Sequence, residues 1–189
     1  MLSEKLKIQT LTNHQQLEKM LIGRMKAMRS AQDYINLLQL FYSYFGGLET
    51  LIDKYIGSDQ LPDHAERRKS AALVNDITAL GGSAEPLASG NDLPAIENSL
   101  QAYGALYVIE GSTLGGKIIS KMVAQQLGIA DAKGLSFFSS YGDNLAAMWD
   151  KFKENLDLQA QNQSDEDVIV DAANATFAKF KQWAERVTV

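Results

Sequence analysis

Three polar residues near the N-terminus have the types and spacing to bind a ligand with a metal centre. Lys7, His14 and Glu18 lie in LKIQTLTNHQQLE, where apolar residues recur at helical spacing. On a helix, Glu18 follows His14 by one turn, and Lys7 precedes it by two turns, or about 10 Å. A neutral imidazole binds metals, a neighbouring carboxylate fixes its tautomer, and an ammonium attracts anions. The pattern fits a ligand with a metal centre and an anionic edge.

His14 also has a simpler interpretation. Leu11, Leu17 and Leu21 define an apolar arc around it, so His14 could be a core histidine that is hydrogen-bonded to a neighbour. Lys7 and Glu18 would then be the solvated flank of that face. The spacing leaves both interpretations open. His64, the other histidine, lies in the charged stretch LPDHAERRK, and we expect it to be exposed and without a role.

Three glycines interrupt a second helical pattern, YVIEGSTLGGKIISKM at residues 107–122. Each glycine inside a helix costs roughly 0.5–1 kcal/mol relative to alanine. Gly111 and Gly115 lie one turn apart on one face, which would allow either close helix packing or a flat ligand against bare backbone. Glycines there would also let the helix bend. A histidine helix opposite this glycine helix would form a slot with the shape of a planar tetrapyrrole.

Composition limits the remaining possibilities. The 189 residues suit one domain, 46% are apolar and 22% are charged. We expect no transmembrane helix and no signal peptide, because no apolar run has the required length. The absence of cysteine excludes disulfides and thiolate chemistry and fits a cytoplasmic protein. A net charge of −5 disfavours binding to nucleic acid.

The chain has a helical pattern almost throughout, so we predict an all-α fold in a single domain, residues 1–189. Ser3 and Ser30 are predicted N-caps, as is Asn91 or Asp92, and Gly128 is a predicted helix end. SDED at 164–167 has the form of a capping box for the last helix. The other predicted helices span about 3–22, 30–56, 63–80, 94–128 and 143–158.

Several segments together resemble one family. EGSTLGGKIISK is similar to the distal helix of haem oxygenases, most closely those of the bacterial biliverdin-producing branch. LKIQTLTNHQQLE resembles the proximal helix of that family. KGLSFFSSYG, WDKFKENL and ANATFAKFKQW resemble later segments. Their order and spacing extend the resemblance over about 170 residues.

The resemblance implies a fold and a reaction. The fold would be a multi-helical bundle with a haem slot between the proximal and distal helices. The reaction would be the oxidative cleavage of haem, as both substrate and cofactor, to biliverdin, carbon monoxide and ferrous iron. It would consume O2 and electrons from an external donor, such as a reductase, a ferredoxin or an ascorbate-like reductant. From composition and charge we also expect a cytoplasmic protein that binds neither nucleic acid nor membrane. A monomer is the default, because the fold needs no partner.

The resemblance also assigns roles to residues. His14 would ligate the iron, with Glu18 as its carboxylate partner, and Lys7 and Lys153 would bind the propionates. Gly111 and Gly115 would let the distal backbone approach the reacting oxygen, and Ser112 would help to place a proton-donating water. The further predicted haem contacts are Gly116, Lys117 and Lys121.

Three positions depart from the animal branch of the family. Ser112 stands where that branch has an aspartate that organises distal water, although bacterial members can also lack it. Asp157 replaces an arginine four residues beyond the Lys153 match. Leu106 stands where a tyrosine touches a propionate, with Tyr107 adjacent. The iron ligand is therefore better defined than the propionate contacts.

Three other functions remain open. A carrier or sensor could bind haem or another tetrapyrrole without turnover, and would have the same pocket residues. Another helical bundle could bind a different small molecule, for example a quinone-type substrate. A structural or interaction protein could use the glycines for packing alone.

Overall fold

The computed structural model describes residues 1–128 and 133–187. Within these ranges it contains helices and no strand, which confirms the all-α prediction, and no helix there has the length and apolar character to cross a membrane. The α-helices are α1 Leu2–Gln9, α2 Leu11–Ala27, α3 Ala31–Ile52, α4 Ala71–Ala79, α5 Ser99–Gly111, α6 Gly116–Leu127, α7 Ser136–Ser139, α8 Leu145–Asp157 and α9 Gln163–Arg186. Short 3-10 segments occur at His64–Glu66, Gly90–Asp92, Ser112–Gly115 and Gly142–Asn144.

The first predicted helix, 3–22, is divided at Thr10 into α1 and α2. The Thr10 hydroxyl donates to the Leu6 carbonyl at 2.8 Å, a side-chain bond that often bends helices. The Thr10 amide also donates to Leu6 at 2.9 Å, and the His14 amide donates to the Thr10 carbonyl at 2.9 Å. Helical hydrogen bonding therefore continues across the division, and α2 follows directly from α1.

Helix α3 supplies much of the core. Ser30 caps it as predicted, because its hydroxyl accepts from the Asp33 amide while the Asp33 carboxylate accepts from the Ser30 amide. The helix ends at Ile52, earlier than the predicted 56. Burial of such apolar side chains is the main favourable term in folding. The large core residues of α3 include Leu38, Phe41, Tyr44, Phe45 and Leu48.

The predicted helix over 63–80 is wrong in its first half. Residues His64–Glu66 form one 3-10 turn, and Arg67 is extended with ψ at 146°. Arg67 and Arg68 turn into the protein, where they are 3% and 9% exposed. Their interior partners outweigh the helical propensity of this segment, and only α4 forms after them.

The predicted helix over 94–128 begins later and is interrupted. Its N-cap is Asn98, whose side chain accepts from the Gln101 amide at 2.9 Å, so the prediction of Asn91 or Asp92 as the cap was wrong. The 3-10 segment Ser112–Gly115 separates α5 from α6, so the helix is interrupted at the glycines that we expected to let it bend. Gly128 ends α6 with φ at 64°, a left-handed conformation that favours glycine, as predicted.

Helix α9 is the support to which the N-terminal helices attach. Lys5 pairs with Glu166 at 3.1 Å, and Asn13 donates to Asn174 at 2.7 Å. Residues later in α1 and α2 thus contact residues later in α9, so α1 and α2 run parallel to α9. The N-cap of α9 is Asn162, two residues before the predicted SDED box. Phe177 and Phe180 are buried on α9.

Candidate active site

His14 lies on the exposed side of α2, although Leu17 and Leu21 of the same helix are buried. Its ring packs on Phe177 of α9 with centroids 5.4 Å apart and planes inclined by 30°. Leu11, which the apolar arc places beside it, is 46% exposed. A buried core histidine is therefore ruled out, and the imidazole is accessible to a ligand.

The two charged neighbours of His14 are also exposed. Lys7 lies in the last turn of α1, and Glu18 lies one turn beyond His14 on α2. No side-chain hydrogen bond joins Glu18 to His14 within the described ranges. The roles predicted for Glu18 and Lys7 therefore stay predictions.

Neither backbone conformation nor packing accounts for Gly111 and Gly115. Their φ angles are −60° and −84°, which any L-residue adopts in a helix. A Cβ added to Gly111 would have Trp149 as its nearest neighbour at 3.8 Å, and one added to Gly115 would have Ile119 at 4.0 Å. Both distances are ordinary van der Waals contacts. The chain therefore exposes bare backbone here, and close helix packing is not the reason.

Gly104 and Gly116, in contrast, are glycines that close packing requires, because an added Cβ would overlap neighbouring backbone atoms. A Cβ on Gly104 would meet the Ile169 carbonyl and lie 2.9 Å from the Ala173 amide nitrogen on α9. A Cβ on Gly116 would meet the Phe138 carbonyl. Packing against Phe138 explains why residue 116 is glycine. The haem contact predicted for Gly116 stays a prediction.

Trp149 of α8 forms a wall beside Gly111. Its ring packs on Tyr107 of α5 at 5.8 Å and on Phe152 at 5.7 Å. Lys153 extends over the same ring at 5.8 Å and pairs with Asp150 at 2.9 Å. The predicted propionate lysine thus lies next to the glycine face, although it already has one carboxylate partner.

Ser112 connects the bend between α5 and α6 to a buried cation. Its hydroxyl donates to the Ile109 carbonyl and accepts from Arg68 Nη2, both at 2.6 Å. Arg68 Nη2 also donates to Ile109 at 3.0 Å, and the guanidinium lies 3.8 Å from the Phe137 ring centre. Burial lowers the pKa of Arg68 to about 10, so it stays protonated at neutral pH. Ser112 itself is half-buried.

Comparison with known proteins identifies the chain. The family model described as Heme oxygenase matches residues 1–186. The chain belongs to the haem oxygenase family. A heme oxygenase of Xanthomonas campestris pv. campestris (strain 8004) is 30% identical over 151 residues, which cover 79% of this chain and 87% of that protein. This haem oxygenase is therefore an enzyme that acts on haem.

A solved structure shares the fold. The NO- and CO-bound heme oxygenase from Neisseria meningitidis superposes with a TM-score of 0.80 at 22% identity. The match covers 98% of this chain and 91% of that one. At this identity the likeness establishes the haem oxygenase fold and leaves the roles of individual residues to be argued from the geometry.

A buried network behind Ser112 was missed by the sequence interpretation. Arg67 donates to Glu110 at 2.8 Å and to Asp63 at 2.7 Å, and Glu110 is 1% exposed. Tyr141 donates to Glu110 at 3.0 Å and accepts from the Arg68 amide at 2.8 Å. Burial raises the pKa of Tyr141 to about 12, so it remains a neutral donor.

The sequence contains one signal for this network. Glu110 lies within the apolar run ALYVIEG, where a lone carboxylate is rarely buried without a partner. The adjacent pair Arg67 and Arg68 could have been proposed as that partner. Charged stretches are usually solvated, however, and the sequence alone does not show which one turns inward.

The bend and α6 carry exposed apolar and basic side chains. Leu114 and Ile118 are 47% and 70% exposed, and Lys117 and Lys121 are exposed on α6. Ile8, in the N-terminal segment that carries His14, is 73% exposed. Contiguous exposed apolar patches often mark binding surfaces. Exposed apolar and basic side chains thus occur on both of the predicted haem-binding segments.

His64 is not exposed, contrary to the prediction. Its side chain is 14% accessible, with Nε2 3.2 Å from Asp53 and 3.1 Å from Lys69 Nζ. The 3-10 turn at 64–66 holds the ring against these partners. None of its described partners is a predicted site residue, and the absence of a role for His64 stays a prediction.

A separate surface depression of about 430 Å³ contains none of the predicted site residues. Its charged groups already have partners, because Arg186 pairs with Asp92 at 2.6 Å and Lys179 donates to the Asn91 carbonyl at 2.6 Å. Its lining is formed by Asn91, Asp92, Lys179, Gln182, Glu185 and Arg186.

Proposed function

We propose that this haem oxygenase cleaves haem to biliverdin, carbon monoxide and ferrous iron, using O2 and electrons from an external donor. The observation that carries the proposal is the bare backbone at Gly111 and Gly115, which neither φ nor packing requires. A flat ligand that lies against these residues would explain why both are glycine. Haem supplies the oxygen-activating chemistry when it is bound, and the chain supplies binding, orientation and protons.

On one face of the haem, His14 would bind the iron through its neutral imidazole. The exposed ring supports this role, since both of its nitrogens are free of protein hydrogen bonds within the described ranges. On the other face, Gly111 and Gly115 would let the backbone come close, and Trp149 would close the side of the slot. Burial between these groups would exclude bulk water.

Ser112 would be the proton-positioning group. Its hydroxyl hydrogen is directed to Ile109 and one of its lone pairs to Arg68. A water on the slot side could donate to the remaining lone pair, and the Arg68 cation behind it would fix the hydroxyl's orientation. The arrangement would replace the distal aspartate of the animal branch with a serine held by a buried arginine.

The direct test is a visible spectrum of the protein with one equivalent of haem, recorded before and after ascorbate is added in air. We expect a sharp histidine-type Soret band that decays into a broad red absorption of biliverdin. A Soret band that persists would contradict turnover and favour a haem carrier. Absence of the band would contradict haem binding itself.

Ser112→Ala is expected to leave haem binding within about twofold and to slow turnover by about a hundredfold, the lower end of the 10²–10⁴-fold that placed proton transfer typically contributes. The substitution removes only one hydroxyl group, and Arg68 retains the Ile109 carbonyl as an acceptor. Single-turnover decay of the Soret band measures the effect. Ser112→Thr, which keeps the hydroxyl, is the matched control and should retain most of the rate. Equal rates in wild type and Ser112→Ala would remove Ser112 from the mechanism.

Lys7 and Lys153 would fix the in-plane rotation of haem through its propionates, and thereby the meso carbon that is cleaved. Ser3 donates to Asp157 at 2.7 Å, which joins α1 to α8 one turn away from both lysines. In the Lys7→Ala, Lys153→Ala double variant we expect a changed mixture of biliverdin isomers by chromatography. Affinity for haem should fall by about two- to fivefold per exposed charge. Lys151 is exposed on the same helix as Lys153, so Lys151→Ala should change neither the isomer ratio nor the affinity for haem. An unchanged isomer ratio in the double variant would contradict the assignment of Lys7 and Lys153.

The remaining proposals concern the setting of the reaction. We expect Glu18 to hold the second nitrogen of His14 once haem is bound, and Lys117 and Lys121 to contribute charge near the slot. The fold needs no partner for its core, so a monomer is proposed, and size-exclusion chromatography tests it. A cytoplasmic location and a reductase, ferredoxin or ascorbate-like donor complete the proposal.

A further inference from the structure

We propose that α9 orients the iron-binding imidazole before haem arrives, with Phe177 holding the plane of the His14 ring and Asn174 holding the backbone beside it. The inference rests on the proposed role of His14 as iron ligand. It makes Phe177 and Asn174 positioning residues, which act on haem through His14.

Phe177 is well placed to restrain an exposed ring. It is 8% exposed, and its ring centroid lies 5.4 Å from that of His14 with an interplanar angle of 30°. The adjacent turn of α9 is fixed, because Phe180 stacks on Tyr44 at 4.5 Å and the Tyr44 hydroxyl donates to the Thr176 carbonyl at 2.7 Å. The phenyl ring is thus part of the core, while the imidazole that packs on it is at the surface.

Asn174 lies one turn before Phe177 and holds the two sides of the Thr10 division together. Its Oδ1 accepts from Asn13 Nδ2 at 2.7 Å, and its Nδ2 donates to the Gln9 carbonyl at 3.2 Å. A primary amide is one of the few side chains that can donate and accept in this way. One side chain therefore ties the last residue of α1 and the residue before His14 to the same point on α9.

Together these contacts limit both the backbone and the ring of His14. Stacking occupies a face of the imidazole and leaves both ring nitrogens free to bind a metal or a second partner. A ligand side chain that is already ordered loses less conformational entropy when it binds. Since an unrestrained side chain costs about 0.5–1.5 kcal/mol to immobilise, loss of the restraint should weaken haem binding about two- to tenfold.

The test uses the full chain with Phe177→Leu, which removes the ring and keeps an apolar side chain, and Phe177→Tyr, which keeps the ring. The chain has two histidines, so the imidazole protons of His14 and His64 can be followed by NMR in the ligand-free protein, with His64 as the internal control. In Phe177→Leu the His14 resonances should move downfield as ring-current shielding is lost, and those of His64 should not. Phe177→Tyr should resemble wild type. The weaker haem binding should be accompanied by a broadened iron–histidine stretching band in resonance Raman spectra of the ferrous complex.

Asn174→Ala provides the second variant and carries the test if Phe177→Leu does not fold. It removes both amide bonds at a half-buried position and should broaden the His14 resonances. His14 resonances and an iron–histidine band that are unchanged in both variants would overturn the inference. Absence of an iron–histidine band in the wild-type complex would instead refute His14 as the ligand, so the two failures are distinguishable.

Discussion

Alanine in place of Gly115 is expected to stabilise the ligand-free protein and to slow haem turnover at the same time. Gly115 has φ at −84°, and the nearest neighbour of an added Cβ is Ile119 at 4.0 Å. At such a compatible position, alanine should raise the free energy of unfolding by about 0.4–1 kcal/mol. The same methyl group would stand on the face proposed to lie against haem, and a displacement of about 1 Å can cost 10²-fold in rate. We therefore expect turnover to fall by about ten- to a hundredfold.

Two other glycines provide matched controls for Gly115→Ala. Gly23 is exposed inside α2 with no atom near an added Cβ, so Gly23→Ala should give a similar stability gain with unchanged turnover. Gly104→Ala should lower the free energy of unfolding by about 1–3 kcal/mol or more, since its Cβ would meet the α9 backbone. Chemical unfolding of the ligand-free proteins measures the first effect, and single-turnover haem decay measures the second.

The pair of measurements separates the two explanations for Gly115. A destabilised Gly115→Ala protein would mean that helix packing, after all, requires the glycine. A stabilised protein with wild-type turnover would mean that the bare face does not contact haem. Only a gain in stability together with a loss of turnover supports a backbone that is kept bare for its ligand.

The sequence predicted helix ends well where a local signal decides them. Ser30 has its capping box within four residues, and Gly128 has the left-handed conformation that ends a helix. Asn98 was missed because Asn91, Asp92 and Pro94 offer an equally good local start. Local chemistry does not distinguish these candidate caps, so tertiary contacts decide which residue begins the helix. Here Asn91 and Asp92 lie within the 3-10 turn Gly90–Asp92 instead.

Long-range contacts explain the larger errors. HAERRK has the composition of a solvated helix, yet Arg67 points inward because Glu110, more than 40 residues later in the chain, needs a buried partner. Arg68 points inward to the Ile109 carbonyl and the Ser112 hydroxyl. Burying one unpaired carboxylate costs several kcal/mol, which exceeds the helical propensity of a short segment. No periodicity within residues 63–80 contains that information.

The three glycines show the same limit on a smaller scale. We expected them to let the helix bend, and a 3-10 segment interrupts it at Ser112–Gly115. Spacing does not separate a glycine that is packed from one that is bare, however, because the difference lies in what each residue faces. A Cβ on Gly116 would meet the Phe138 carbonyl, whereas a Cβ on Gly111 or Gly115 would make only an ordinary contact with Trp149 or Ile119. The predicted set therefore divides into one packing residue and two residues available to a ligand.

His14→Ala is expected to have the largest effect on haem and little effect on the fold. His14 is exposed on α2, so its replacement by a strong helix former should change the free energy of unfolding by no more than about 0.5 kcal/mol. The variant should lose the histidine-type Soret band and at least about a hundredfold in haem affinity, since even partners of metal ligands are worth 10–100-fold.

Titration of haem by absorbance, together with a turnover assay in ascorbate and air, measures the loss in His14→Ala. His64→Ala is the matched control, because it removes the other imidazole of the chain, which contacts Asp53 and Lys69 instead of Phe177. It should lose some stability and keep the Soret band. A His14→Ala protein that retained a histidine-type spectrum would leave His64 as the ligand, and the bare face at Gly111 and Gly115 would then lack its opposing imidazole. Loss of the band in His14→Ala alone would assign the iron ligand to α2.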